Sequence, residues 1–208
     1  MQHNVELMAN YFRRSRHHPL KHLVDKTLCR NQYFVLRTFI RKQKPISLPT
    51  TSEAFAGGFY STVFRVPNGK VVKLIDKDKY QENEFVKEVY FTIYCSEHLG
   101  ITPKVYTAWQ GGGLLLQELK AYESLETLSL QDWPPFENIL KVVELLHQHF
   151  IVHGDLCNFT NIMVHKRTKQ VKLIDFGKAK HTRSSTKLQK ERDNLITHFL
   201  FKREQLLL

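Results

Sequence analysis

Three short stretches in the second half of the chain decide its fold. They are IVHGDL at 151–156, NIMV at 161–164 and VKLIDFG at 171–177. The pattern is a histidine two residues before an aspartate, then an asparagine, a pair of short strands, and a second aspartate followed by Phe-Gly. Asn161 and Asp175 carry hard oxygen donors of the kind that Mg²⁺ prefers. Asp155 is a carboxylate that can orient a hydroxyl group or accept its proton. The pattern therefore predicts a magnesium site beside a catalytic carboxylate.

This order of residues resembles the catalytic loop and the magnesium-binding turn of protein kinases. The resemblance implies that Asp155 accepts or orients the proton of a substrate hydroxyl, and that Asn161 and Asp175 hold Mg²⁺ between the phosphates of ATP. His153 is interpreted as a structural histidine that braces the loop. The asparagine lies six residues after Asp155, whereas the kinase template has five. Asn158 is therefore an alternative ligand, but Asn161 is favoured because a strand resumes directly after it.

A loop that covers the phosphates is predicted before the first hairpin. The stretch AGGFYSTV at 56–63 fits the kinase frame G-x-G-x-x-G-x-V, with alanine and serine in place of the outer glycines. A glycine at the central position lets the backbone approach a phosphate with no side chain in the way. The residues assigned to this part of the ATP site are Ala56, Gly57, Gly58, Ser61 and Val63.

Lys73 ends the stretch KVVK at 70–73, which aligns with the lysine-bearing strand of protein kinases. A lysine on a buried strand needs a partner, because an unpaired charge is costly to desolvate. Glu88, fifteen residues further on in a predicted helix, is the favoured partner. Glu84, one turn earlier on the same face, is the alternative. Lys73 is predicted to act in catalysis and, with Glu88, to bind ATP.

The stretch LLQELK at 115–120 resembles the hinge strand of a kinase. Gln117 is predicted to be the gatekeeper residue. The backbone groups of Glu118 and Lys120 are predicted to pair with the edge of the adenine ring. An ordinary buried strand is the alternative interpretation.

The chain departs from regulated kinases in ways that affect its function. Gly154 replaces the loop arginine that docks a phosphorylated activation loop. Cys157 stands where serine/threonine kinases usually carry a lysine near the transferred phosphate. Only 31 residues follow Gly177, and no A-P-E motif occurs among them. The sequence therefore predicts activity without loop phosphorylation, and a kinase that lacks the usual substrate platform.

Composition restricts the class of protein further. The chain has 208 residues, of which 42% are hydrophobic and 25% are charged, as in a globular domain of two small lobes. No apolar run approaches the roughly 20 residues of a membrane span, and no cleavable signal peptide is predicted. Cys29, Cys95 and Cys157 form no CxxC pair, which favours reduced thiols in a cytosolic compartment.

The net charge of +11 is concentrated in the first 44 residues, which hold ten Lys or Arg against Glu6 and Asp25. We interpret residues 1–50 as a basic extension with a solvated face or a role in export. A surface that binds nucleic acid, an anionic membrane or an acidic protein is the alternative. No nucleic-acid-binding motif is present, so nucleic acid is not an expected partner.

The periodicity predicts an α+β order of elements over 51–208 that resembles a minimal bilobal protein-kinase-like fold. A five-stranded sheet with one helix is expected over about 51–117, and a truncated, mainly helical lobe over about 121–208. Specific expectations are a hairpin at Pro67-Asn68-Gly69 and helices over 82–99, from near Asp132, and from about Thr186 to the end. The helix positions expected to face the core include Phe85, Val89, Ile93, Leu188, Leu195, Phe199 and Leu200.

The whole chain resembles the HopBF family of bacterial type III effector kinases, by its length, its H-G-D loop at 153–155 and its truncated end. The resemblance implies a monomeric serine/threonine kinase that is secreted into the cytosol of a host cell. It also implies that the substrate is the host ninety-kilodalton heat-shock chaperone, inactivated by phosphorylation. Two alternatives are a small-molecule phosphotransferase of the aminoglycoside or choline kinase type, and a catalytically dead kinase fold that serves as a binding module.

Overall fold

The computed structural model of the protein describes residues 30–48, 54–57 and 60–207. Within these residues the chain forms four α-helices and ten β-strands, so the predicted α+β class is confirmed. Most of the basic extension, residues 1–29, and Gly58 of the predicted phosphate loop lie outside the described residues.

The chain divides into two compact units. The amino-terminal unit contains the described residues up to His98, together with Pro103–Lys120. The carboxyl-terminal unit contains Leu99–Thr102 and the described residues from Ala121 onward. The short stretch Leu99–Thr102 belongs to the second unit. The backbone N–H of Leu173 donates to the carbonyl of Ile101, with an N···O distance of 2.8 Å.

The amino-terminal unit is built on a five-stranded antiparallel sheet with the strand order β1-β2-β3-β5-β4. Its strands are β1 (Ala54–Gly57), β2 (Ser61–Val66), β3 (Lys70–Ile75), β4 (Val105–Trp109) and β5 (Gly113–Gln117). The predicted hairpin joins β2 to β3, and Asn68 and Gly69 both have positive φ, at 66° and 65°. A turn of this hand matches the twist of the two strands, which explains the Asn-Gly pair.

Helix α2 (Glu82–Tyr94) packs on this sheet. Phe85, Val89 and Ile93 are buried, as the spacing predicts. The predicted helix over 82–99 is only partly confirmed, because the last turn, Cys95–Leu99, is a π-helix rather than an α-helix.

The part of the basic extension that the structure describes forms helix α1 (Arg30–Lys42). Leu36 and Ile40 on this helix are buried, in contact with the amino-terminal unit. Arg41 makes a bidentate ion pair with Glu82 at the start of α2, with N···O distances of 2.7 and 2.8 Å. This stretch of the extension is therefore part of a folded unit, and two of its arginines, Arg37 and Arg41, pair with Glu82.

The carboxyl-terminal unit holds two small antiparallel sheets, β6-β8-β9 and β7-β10. Its elements are β6 (Tyr122–Ser124), α3 (Phe136–Gln148), β7 (Ile151–Val152), β8 (Ile162–His165), β9 (Val171–Leu173), β10 (Lys180–His181) and α4 (Ser185–Gln205). The core of this unit includes Ile139, Val143 and Leu146 of α3. No helix among the described residues of the chain is long and apolar enough to cross a membrane.

The start of α3 differs from the prediction. The helix begins at Phe136, whereas Asp132 lies in a separate 3-10 turn and its carboxylate accepts a hydrogen bond from the Ser129 hydroxyl at 2.7 Å. Pro134 and Pro135 explain the difference, because a proline disfavours helical geometry in the residue before it. The helix can therefore start only after the second proline.

Helix α4 buries most of the predicted face. Leu195 and Phe199 are buried, and Leu188 is partly buried. Leu200 is 50% exposed, so its assignment to the core is wrong. Neighbouring helix positions point about 100° apart, and Phe199 already occupies the inward direction, where its ring lies 4.2 Å from that of Phe136.

Candidate active site

Lys73 lies in the middle of the sheet, on β3, opposite Val63 of β2 and Leu114 of β5. Its Nζ is 2.6 Å from Oε1 of Glu88 on helix α2, and the two side chains are 12% and 7% exposed. Such burial strengthens the attraction between the charges and makes either charge costly without the other. Of the two partners considered from the sequence, Glu88 forms this pair, whereas Glu84 is exposed.

Within the predicted phosphate loop, 56–63, the structure describes all residues except 58 and 59. Ala56 pairs with Val63, and Gly57 with Thr62, in the ladder between β1 and β2. A Cβ atom at Gly57 would come 3.0 Å from the carbonyl oxygen of Ser61, which is tighter than a side chain normally tolerates. The predicted residues thus lie together at the ends of the two strands, while their contact with phosphate stays a prediction.

The predicted hinge follows β5. The backbone N–H of Glu118 donates to the carbonyl of Gly69 at 2.9 Å, and the Glu118 carboxylate pairs with Arg65 at 2.8 Å. The side-chain oxygen of Gln117 accepts a bond from the backbone N–H of Lys104 at 3.4 Å. The N–H of Glu118 already donates to Gly69, so it is not one of the groups left to contact adenine. The carbonyl of Glu118 and the N–H of Lys120 stay predicted adenine contacts.

Asp155 follows β7 and is held by the predicted asparagine. The side-chain amide Nδ2 of Asn161 donates to the backbone carbonyl of Asp155 at 3.1 Å and to its carboxylate Oδ2 at 3.3 Å. The side chain of Asn158 instead accepts bonds from the backbone and hydroxyl of Thr160, at 3.3 and 2.7 Å, which caps a 3-10 turn over Phe159–Asn161. This turn lies within the six-residue spacing from Asp155 to Asn161, which is one residue longer than in the kinase template.

Asp175 has φ 64° and ψ 68°, a left-handed conformation that non-glycine residues adopt only under constraint. It precedes the 3-10 turn Phe176–Lys178. The fully buried His153 lies against this region, with its Nε2 3.1 Å from the carbonyl of Ile174 and its ring 4.5 Å from that of Phe176. Burial lowers the pKa of His153, so the ring is neutral and joins the two motifs as a structural group.

A comparison with protein families gives a match to the protein kinase domain over residues 69–199, which is more than half of the chain. The chain belongs to the protein kinase domain family. A search of curated proteins gave no significant match. The matched range begins at Gly69, after the predicted phosphate loop, and ends in α4. The predicted minimal bilobal kinase-like fold is thereby confirmed, and the family uses ATP and a divalent metal in general.

The donor set of the kinase fits the predicted magnesium site. Mg²⁺ binds through one or two protein oxygens and fills its remaining positions with water and substrate phosphate. The amide Nδ2 of Asn161 is directed to Asp155, and its Oδ1 accepts no hydrogen bond from the described residues. Asp175 would supply the second oxygen donor. No group of three or more His, Cys, Asp or Glu side chains that could hold a metal occurs among the described residues, so a cage made only of protein ligands is not part of this site.

Glu191 of α4 anchors the catalytic loop, a role that the sequence did not suggest. Its carboxylate accepts hydrogen bonds from the backbone N–H groups of His153 and Gly154, at 3.2 and 2.6 Å, and lies 2.9 Å from Nε2 of His147 on α3. The Glu191 side chain is only 8% exposed. One signal was available, because Glu191 lies four residues before the buried Leu195 and so on the apolar face of its helix.

Lys178, directly after the D-F-G motif, is the second residue that the sequence did not suggest. Its Nζ lies 2.9 Å from Oδ1 of Asp155. The carboxylate of Asp155 thus contacts an amide on one oxygen and an ammonium on the other. No motif pointed to this contact, because the two residues are 23 positions apart in the chain.

Proposed function

We propose that this chain is a catalytically competent protein kinase that transfers the γ-phosphate of ATP to a serine or threonine hydroxyl. The observation that carries the proposal is the pair of hydrogen bonds to the Asp155 carboxylate. Asn161 donates to one oxygen and Lys178 donates to the other. The buried pair of Lys73 and Glu88 supports it. A binding module without activity has no need to keep these five residues in bonding geometry.

Each residue has a defined part in the transfer. The substrate hydroxyl oxygen forms a bond to the γ-phosphorus while the bond from that phosphorus to the β,γ-bridging oxygen breaks, and its electron pair leaves with ADP. Asp155 orients the hydroxyl and takes up its proton. Lys73, positioned by Glu88, neutralises phosphate charge. Mg²⁺ held by Asn161 and Asp175 would supply further neutralisation of the phosphates.

The proposed kinase works without phosphorylation of an activation loop. Only the stretch 178–184 separates the D-F-G motif from helix α4, and part of it forms strand β10 against β7. The arginine that would bind a phosphorylated loop is replaced by Gly154. The short segment is therefore held by backbone pairing rather than by an added phosphate.

The resemblance to the HopBF family supports the choice of substrate and location. We propose that the protein acts as a monomer in the cytosol of a host cell after type III secretion, and that it phosphorylates and inactivates the host ninety-kilodalton heat-shock chaperone. The H-G-D loop at 153–155 supports this proposal.

The test is phosphate transfer from labelled ATP with Mg²⁺, either to a eukaryotic cytosolic extract or to the purified chaperone. We expect labelled protein with the unchanged chain and loss of about 10³-fold or more of the rate with Asp155→Asn. Asp193→Asn, a matched change at an exposed aspartate of α4, is expected to keep the rate.

Each outcome of this test decides between the functions considered. Label confined to small molecules would show a small-molecule phosphotransferase, and no transfer at all would show a binding module. Protein label in the extract with none on the purified chaperone would retain the kinase and reject its proposed substrate. Unchanged labelling by Asp155→Asn would remove Asp155 from the reaction.

A further inference from the structure

The catalytic loop lacks a positive charge that serine/threonine kinases usually carry, because Cys157 occupies the position of their lysine. We propose that Lys178, from the segment after the D-F-G motif, replaces that lysine and binds the phosphate group during its transfer. The inference rests on the proposed kinase function and adds a catalytic residue to it.

The position of the Lys178 ammonium carries the inference. Its Nζ lies 2.9 Å from Oδ1 of Asp155, and 64% of the side chain is exposed. An ammonium group has three N–H donors and no acceptor. It can therefore contact a carboxylate and a phosphate oxygen at the same time.

Distance limits place the phosphate near the carboxylate that this ammonium contacts. A hydroxyl that Asp155 orients must lie about 2.6–3.2 Å from its carboxylate. The phosphorus that this hydroxyl attacks lies about 3–3.5 Å further on. Both the phosphorus, within about 7 Å, and the Lys178 ammonium, at 2.9 Å, therefore lie around the Asp155 carboxylate. During transfer, negative charge on the oxygens of the phosphate is spread over that region, where a cation stabilises it.

The backbone holds Lys178 at this position. Strand β10 pairs with β7 through Lys180 opposite Val152, next to the catalytic loop. Gly154, with φ +84°, leaves room for the lysine segment, because a Cβ atom there would come 2.7 Å from the carbonyl oxygen of Lys178 and 3.2 Å from its Cβ. Gly154, at the position of the kinase arginine, and Lys178 are therefore linked by one close backbone contact.

Cys157 itself supplies no positive charge. Its thiol is exposed in the loop, and burial of part of the group, with the negative charges of Glu191 and Asp155, raises its pKa. The thiol is therefore neutral at physiological pH, so it neither attracts nor repels a phosphate by charge.

The first measurement is the turnover number and KM of purified full-length variants with Mg²⁺ and ATP. We expect Lys178→Met to lower kcat by about 100-fold, with a smaller effect on KM. Lys178→Arg is expected to keep at least about one tenth of the rate, since it retains the charge. Lys180→Met, an exposed lysine two residues further on, is the matched control and is expected to keep the full rate.

The decisive variant moves the charge back to its usual place. Adding Cys157→Lys to Lys178→Met is expected to restore the rate at least about tenfold over Lys178→Met alone. A purely structural role of Lys178 would give no such recovery. Thermal unfolding of each variant checks that the fold is kept.

A binding measurement tests the inference without turnover. We expect the unchanged protein to bind β,γ-imido-ATP more tightly than ADP in calorimetry, and Lys178→Met to lose that preference while its affinity for ADP stays within about twofold. If the unchanged protein transfers no phosphate, the proposed function fails, and this comparison still decides the role of Lys178. Absence of nucleotide binding would overturn both.

Three results would overturn the role of Lys178 while leaving the kinase function intact. They are a Lys178→Met rate within about threefold of the unchanged protein, a preference for β,γ-imido-ATP that survives Lys178→Met, and a higher rate in Lys178→Met. The last would show that the contact with Asp155 restrains the enzyme.

Discussion

The amino-terminal and carboxyl-terminal units hold their charged residues in different ways. In the first, one buried ion pair joins a strand to a helix, Lys73 to Glu88. In the second, Asp155 is half-exposed and receives contacts from Asn161 of its own loop and from Lys178 of another segment. The backbone before it is held by a third element, helix α4.

This difference determines how each unit responds to the substitution of a charged residue. A buried pair concentrates much of its energy in one short contact, so the loss of either partner is costly. A network spreads its energy over several bonds, and its members act together. We therefore expect changes at the pair to couple strongly to each other, and changes at the loop anchor to affect both stability and catalysis.

The largest effect is expected at the anchor of the catalytic loop. Glu191→Ala leaves the backbone N–H groups of His153 and Gly154 without their acceptor, which should lower the free energy of unfolding by about 3 kcal/mol. The rate of phosphate transfer should fall as well, since the loop then loses its position. Urea unfolding and turnover measure the two effects.

Glu191→Gln is the matched variant, because its side-chain oxygen can still accept one of the two bonds. It should keep more than half of the lost stability. Lys190→Ala, at the exposed neighbouring position, should change neither quantity. Full activity and stability in Glu191→Ala would show that the loop holds itself, and the contrast between the units would disappear.

An intermediate effect is expected in the amino-terminal unit. A double-mutant cycle of Lys73→Met and Glu88→Gln should show a coupling of about 1–2 kcal/mol in the free energy of unfolding, because the pair is buried and its Nζ···Oε1 distance is 2.6 Å. Lys73→Met alone should also reduce the use of ATP while the unit stays folded.

The control cycle replaces Glu88→Gln by Glu84→Gln, one turn earlier on the same helix. Glu84 is exposed, so its effect should add to that of Lys73→Met without coupling. Equal coupling in both cycles would mean that the pair has no special role in holding the unit together.

The smallest effect is a dependence of stability on pH. Burial lowers the pKa of His153 and of His181, so the folded state keeps both rings neutral while the unfolded chain protonates near pH 6.5, at about the ordinary histidine value. Their contribution is fully present above that pH and is lost as the pH falls below it, because the unfolded state then binds more protons.

The thermal midpoint should therefore fall as the pH is lowered from about 7.5 to about 5.5, by a few °C. His181→Gln should make the decrease shallower. A midpoint that stays constant or rises over this range would contradict the neutral, buried state of the two rings in the carboxyl-terminal unit.

Local chemistry made much of the fold predictable. The Asn-Gly turn between β2 and β3 follows from residues that accept positive φ, and the buried face of α2 follows from its spacing. The start of α3 differs from the prediction because Pro134 and Pro135 exclude helical geometry just after Asp132. The π-turn Cys95–Leu99 has no local signal, since it depends on how the end of α2 meets its surroundings.

The candidate site divides in the same manner. Lys73, Asp155 and Asp175 were identified because kinase motifs place them at fixed positions next to strands and turns. The contact of Lys73 with Glu88, which the sequence favoured over Glu84, and the turn of Asn161 toward Asp155 are seen only in the tertiary structure. In both cases the candidates were close in sequence, so small rotations of the backbone decided between them.

The sequence by itself determined the order of strands and helices and the kinase motifs, because these depend on periodicity, turn residues and spacing along the chain. Only the tertiary structure decided how Asp155 is held. Lys178 and Glu191 reach the catalytic loop from 23 and 37 positions away. Contacts at such separations depend on how β10 and α4 pack, and packing leaves no pattern in the residues between them.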